Sequence, residues 1–221
     1  MQRIWAEVDH YLGDLLAPHD AGLAHAIKAN QDAGLPSIDV PSLLGKFLDL
    51  TIRISGARRV LEIGTLGGYS TIWMARALLE GGKVITLELE PRHAEIARAN
   101  FESAGVSNRI EIRLGPALDS LRAIHQEGSA PFDLIFIDAD KQSMPEYLDW
   151  SLKLSHPGTV MIADNVVRDG KVLNTKTRDP HVRGVQRFLE LVAANPRLSA
   201  TAIPTVGERG FDGFALAVVL P

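Results

Sequence analysis

From residue 58 onward the chain alternates short apolar runs with longer amphipathic stretches, and this rhythm limits the fold more than any other feature. The runs fall at 60–63, 84–87, 110–114, 134–137, 160–162, 198–203 and 213–219. Helix-length stretches near 69–80, 91–105, 116–126, 144–155 and 181–194 separate most of them. Strands joined through helices predict βαβ crossovers, and therefore a mostly parallel sheet covered on both faces. The last two runs have only PTVGERGFDG between them. They are expected to form a hairpin, which makes the final strand antiparallel. The expected fold is an α/β domain with a doubly wound, mostly parallel seven-stranded sheet and an N-terminal helical extension.

That extension reads as three helices. Ile4, Trp5, Val8, Tyr11, Leu12, Leu15 and Leu16 recur on one stripe of a 3.6-residue period, ending near Pro18. A second helix covers 22–34, and a third opens at Pro41–Ser42 and runs to Gly56. The apolar stripes are expected to bury against the same domain, with part of the surface left for a homodimer seam. One domain over 1–221 is expected, with helices in 1–56 and the α/β core in 57–221. No internal repeat or long linker divides it.

Composition narrows the chemistry. With 27 acidic and 23 basic residues the formal charge is −4, which argues against a general nucleic-acid-coating protein. There is no cysteine, so disulfides, thiolate metal sites and cysteine nucleophiles are excluded. No apolar run approaches the roughly 18 residues of a membrane span, and the N-terminus lacks a signal-peptide core. A cytoplasmic protein is the expectation.

In doubly wound sheets ligands bind beyond the carboxyl ends of the strands, and four polar clusters follow apolar runs here. The first, LEIGTLGGYST (61–71), ends a strand in a glycine-rich turn that feeds a helix. Glycines there admit positive φ and close approach of a ligand to the backbone. The spacing is not GxGxxG, and no Lys-Ser/Thr pair follows, so neither a dinucleotide fingerprint nor a P-loop is present. Glu62 in the strand end suits a cationic ligand better than a pyrophosphate. The second cluster, TLELE (86–90), puts Glu88 where an acid commonly accepts hydrogen bonds from ribose hydroxyls. Glu90 precedes Pro91 and reads as compensation of a helix dipole. The third and fourth, FDLIFIDADK (132–141) and IADN (162–165), end successive strands in acids. Asp138, Asp164 and Asn165 offer only hard oxygen ligands, the set for Mg²⁺, Mn²⁺ or Ca²⁺. Lys141 beside Asp138 is either its ion-pair partner or a positioned base.

Together with AGVSNRIEIRLGPAL (104–118), these segments resemble the cation-dependent, S-adenosylmethionine-using O-methyltransferases, the family of the catechol and caffeoyl-CoA enzymes. The likeness runs from about residue 36 to the C-terminus, and the closing TVGERGFDGFALAVV resembles the bacterial branch. It implies the Rossmann-like fold of class I methyltransferases. The cofactor contacts it implies fall on Val40, Glu62, Gly64, Thr65, Ser70, Glu88, Ala117 and Asp138. It also implies metal ligands at Asp138, Asp164 and Asn165, with Lys141 and Asp138 as catalytic residues. The implied reaction is methylation of one hydroxyl of a catechol-like or other vicinal-diol small molecule, with Mg²⁺ (or Mn²⁺ or Ca²⁺) on the acceptor oxygens. A hydroxylated tRNA nucleoside and an acyl-CoA phenolic ester are the alternative acceptors. Ser143 and Met144 stand where the plant enzymes have an Asn-Tyr pair, which bears against the caffeoyl-CoA acceptor.

Segment 168–187 holds six basic residues (Arg168, Lys171, Lys176, Arg178, Arg183 and Arg187) against Asp169 and Asp179, a local charge of +4. It is either a solvated surface or the recognition face for an anionic acceptor.

Overall fold

Seven strands form one mixed sheet in the order β3-β2-β1-β4-β5-β7-β6 in a computed structural model that describes residues 2–221. They are β1 (Arg59–Ile63), β2 (Lys83–Glu88), β3 (Ile110–Leu114), β4 (Phe132–Ile137), β5 (Ser155–Asp164), β6 (Leu198–Gly207) and β7 (Gly210–Val219). The pairs β1–β2, β2–β3 and β4–β5 are parallel, whereas β7 is antiparallel to both β5 and β6. Eight α-helices accompany them among the described residues: α1 (Gln2–Leu16), α2 (Ala21–Asp32), α3 (Ser42–Ser55), α4 (Tyr69–Ala77), α5 (Pro91–Ser103), α6 (Ala117–Gln126), α7 (Met144–Lys153) and α8 (Pro180–Ala194). The chain divides into two compact units, residues 10–120 and residues 1–9 with 121–221.

In the unit of residues 10–120, Val60, Leu61 and Ile63 of β1 are all fully buried, the continuous apolar run of a strand covered on both faces. Local signals set the helix ends. Asp20 Oδ1 accepts from Leu23 N at 3.0 Å and caps α2, while Pro91 opens α5 where a missing N–H costs nothing. Eight of the nine residues of α4 are buried, so that helix is covered almost all round. It packs closely on α3: a Cβ at Gly45 would collide with the Trp73 ring. The first residue of α4 directly follows the glycine turn, so the burial that fixes the helix also fixes the turn.

In the unit of residues 1–9 and 121–221, β4 and the second half of β5 are buried and end in the acidic turns. Strand β5 is longer than the run 160–162, because Thr159 ties its first half down. Its hydroxyl donates to Phe132 O at 2.7 Å and accepts from His156 N at 2.9 Å. The backbone of α8 lies against the turn after β4: a Cβ at Gly184 would fall on the Lys141 carbonyl oxygen and Gln142 Cα.

The expected burial of the first helix is corrected. Gly13 is the buried residue of α1, whereas Tyr11 is 65% exposed and Leu15 60%, with Ile4, Val8 and Leu16 similarly open. The periodicity correctly marks a helix, but the period says only that the apolar side chains share a face, not what covers it. No helix among the described residues is long and apolar enough to cross a membrane.

Candidate active site

The first cluster is built around Glu62 and Glu88. Glu62 is wholly buried, and its carboxylate accepts from Ser70 Oγ at 2.5 Å, Thr71 Oγ1 at 2.5 Å and Thr86 Oγ1 at 2.7 Å. A buried carboxylate persists where hydrogen bonds replace its water. Glu62 therefore joins the end of β1, the first turn of α4 and the middle of β2.

Glu88 holds the outer part of the same turn. Its Oε2 accepts from Thr65 N at 3.2 Å and Leu66 N at 2.7 Å, and its Oε1 accepts from Glu90 N at 2.9 Å. Thr65 Oγ1 meets Thr86 Oγ1 at 2.6 Å. The turn itself is left-handed at Gly64 (φ 101°), Leu66 (φ 51°) and Gly68 (φ 84°). For Leu66 that conformation is unfavourable, and the Glu88 bond to its amide holds it. Neither glycine that follows accepts a side chain: a Cβ at Gly67 would strike Asn30, and one at Gly68 would strike the Phe101 ring.

Two further positions expected to meet the cofactor, Ala117 and Val40, are tied to the same assembly. Gly115 N donates to Glu88 O at 2.8 Å, which brings the half-buried Ala117 beside the end of β2. Val40 is buried just ahead of α3. A chain of amides links its neighbour to the turn: Asn30 Nδ2 donates to Asp39 Oδ1 at 2.8 Å, while Asn100 Nδ2 donates to Asn30 Oδ1 at 3.1 Å and Gly67 O at 2.8 Å. So Glu62, Gly64, Thr65, Ser70 and Glu88 gather around one turn, while Val40 and Ala117 are linked to it through their neighbours Asp39 and Gly115. Sequence reading missed Asn30, Asn100 and Thr86. Asn100 is a polar residue between Ala97 and Phe101 on the buried face of α5, and that placement was the available signal.

The second cluster follows β4 and β5. Lys141 is buried, and its Nζ lies 2.7 Å from Asp138 Oδ1. Asp140 accepts from Ser143 N at 3.2 Å and from the Tyr147 hydroxyl, pinning the turn that carries Lys141. Tyr147 is buried, which with the Asp140 charge holds its phenol far above its ordinary range. Met144 opens α7 fully buried, so this position packs the core rather than lining a surface.

Asp164 is buried at the end of β5, next to Asn165, whose Nδ2 donates to Asp164 Oδ2 at 3.3 Å. Burial pushes the Asp164 carboxyl up to about 7, and the Asp138 charge adds to the rise while Lys141 opposes it. A buried carboxyl held up beside a second acid is a poor resting arrangement for a protein alone and a good one for a dication. Two carboxylates and an amide also form the hard-oxygen set of Mg²⁺ or Mn²⁺, so these residues fit such an ion. No cluster of three or more His, Cys, Asp or Glu side chains suited to a metal occurs among the described residues; here the third donor is an amide. Asn165 stands at φ 58°, a left-handed conformation that Asn tolerates better than most residues.

The seven-stranded sheet with its antiparallel β7 matches the Rossmann-like fold of the class I methyltransferases. A model of the O-methyltransferase family matches residues 19–218, and the chain belongs to that family. The catechol O-methyltransferase of Niastella koreensis is 48% identical over 217 residues, 98% of each chain. The O-methyltransferase from Bacillus cereus, solved in complex with SAH, is 56% identical and superposes with a TM-score of 0.97 over 99% of this chain and 100% of its own. TomG of Streptomyces achromogenes, an O-methyltransferase involved in tomaymycin synthesis and solved with SAM, is 45% identical. Its TM-score is 0.96, over 100% of this chain and 99% of its own. The chain is therefore an enzyme of methyl transfer to oxygen.

Proposed function

We propose that the chain transfers the methyl group of S-adenosylmethionine, with the help of a divalent cation, to one hydroxyl of a catechol-like acceptor. The observation that carries the reading is the buried Asp164 beside Asn165, with the Asp138 charge acting on it and Lys141 paired to Asp138. The names of the relatives support the donor and the acceptor class.

In this reading the glycine turn receives the methionine portion against its backbone, and Glu88, already oriented by three amides, meets the ribose hydroxyls. Glu62 acts through the turn: it holds Ser70 and Thr71 in place. Asp138, Asp164 and Asn165 would hold Mg²⁺ or Mn²⁺, whose Lewis acidity draws a phenol of ordinary pKa about 10 toward its phenolate. Asp138 orients the Lys141 ammonium, which balances the negative charge that the acceptor oxygen carries once its proton has left. Much of the acceleration then comes from holding the acceptor oxygen and the methyl carbon about 3 Å apart.

Lys171, Lys176, Arg178 and Arg183 are exposed, and Arg187 is paired with Glu190 at 3.1 Å. In this reading the segment receives the negative group of an acceptor that bears a carboxylate. The apolar stripe of α1 supports a homodimer, which light scattering of the intact chain would test. The activity test is methyl transfer to 3,4-dihydroxybenzoate with Mg²⁺ and again with EDTA. Turnover lost in EDTA supports the reading. Turnover indifferent to EDTA removes the cation from it.

A further inference from the structure

The turn after β5 is held in an unfavourable backbone conformation. Asn165, Arg168 and Asp169 all have positive φ, at 58°, 57° and 54°. Three such non-glycine residues within five positions are each unfavourable and persist only where the surroundings over-determine them. What imposes them is the start of β7. Asp212 Oδ1 accepts from Val167 N at 3.1 Å, Arg168 N at 3.0 Å and Gly213 N at 3.0 Å. Two backbone bonds flank that carboxylate, Val166 N to Gly213 O at 2.9 Å and Asp169 N to Phe211 O at 3.0 Å. The register continues the same attachment, with Asp164 opposite Phe214. A carboxylate oxygen gathering three N–H groups is a strong local anchor, and none of those groups belongs to a candidate ligand. The negative charge of Asp212 also acts on Asp164.

We infer that Asp212 is a positioning residue for the divalent-cation site, fixing through the 167–168 backbone the left-handed turn that presents Asp164 and Asn165. The inference rests on the cation reading above. A residue that orients ligands from outside the ligand set typically alters metal affinity 10–100-fold when removed. A residue that merely stabilises the fold would weaken both ligands together, and this difference separates the two roles.

The test is titration of the full chain with Mn²⁺, following free Mn²⁺ by electron paramagnetic resonance in the presence of S-adenosylmethionine. Binding of S-adenosylmethionine alone is measured in EDTA by calorimetry. Asp212→Ala is expected to raise the Mn²⁺ dissociation constant by about 10–100-fold and to leave S-adenosylmethionine binding unchanged. Asp212→Asn keeps an acceptor oxygen for the amides and is expected to recover most of the loss. If the alanine variant does not fold, Asp212→Ser, too short to reach all three amides, takes its place. Unchanged Mn²⁺ affinity, an equal loss for both ligands, or an asparagine variant no better than alanine would overturn the inference. Wild-type protein that binds no Mn²⁺ would overturn the cation reading and this inference with it. Wild-type binding with an unaffected alanine variant would overturn the positioning role alone.

Discussion

Glu62 and Glu88 show how much of a binding turn is made by residues that organise it. Both acids stand out in the sequence because each closes an apolar run, and both were read there as groups facing a ligand. In the structure Glu62 is spent on three hydroxyls and Glu88 on three backbone amides. The strand ends were legible from apolar runs; the partners were not, because Thr86 and Thr71 reach Glu62 only through strand pairing and helix docking. Glu62→Ala would leave three buried hydroxyls without their acceptor. Its expected cost is about 2–4 kcal/mol, read as a lowered midpoint in urea, with weaker S-adenosylmethionine binding. In the proposed reaction Lys141 belongs to the chemistry rather than the turn. Lys141→Ala is expected to lower kcat far more than it changes S-adenosylmethionine affinity. An unchanged kcat would remove it from the reaction.

At the scale of elements, helix and strand positions followed from periodicity, but what each element packs against did not. Helix α8 is the clearest case. Its basic residues drew attention to its exposed face, whereas its buried face places Gly184 on the backbone of Lys141 and Gln142. Gly184→Ala should force α8 and the lysine turn apart, costing about 1–3 kcal/mol of stability and reducing kcat. Full activity and stability would show that the helix can shift without cost. Helix α3 carries a buried acid, Asp49, between Lys46 at 3.0 Å and Arg53 at 2.9 Å. Burial raises its carboxyl, but the two cations outweigh burial and hold it below its usual value of 3.8. A group lowered in the folded state contributes stability above its unfolded pKa and loses it as pH falls through the folded one. Asp49→Asn is therefore expected to lower the melting temperature at pH 7, with the gap to wild type closing below about pH 4. A gap that persists at pH 2 would place the effect in packing instead.

For the whole molecule, the mostly parallel sheet and the antiparallel β7 follow from where helices separate the apolar runs and where they do not, whereas the order of the strands is set by pairing that the runs do not encode. The exposed face of α1 was not legible, because a single chain's periodicity is the same whether a helix packs on its own domain or on something else. The basic segment is similarly ambiguous in sequence, and its exposure leaves its part in acceptor binding to be measured. Arg178→Glu combined with Arg183→Glu should raise KM for 3,4-dihydroxybenzoate more than for uncharged catechol, and equal KM changes would return the segment to plain solvated surface. The central claim is that Asp138, Asp164 and Asn165 would hold a divalent cation that selects an acceptor with two adjacent oxygens. Its most direct test compares turnover of a catechol with that of a matched monophenol under saturating S-adenosylmethionine and Mg²⁺. The account predicts methylation of the catechol alone, abolished by EDTA and by Asp138→Ala. Equal methylation of both acceptors, untouched by EDTA, would contradict it.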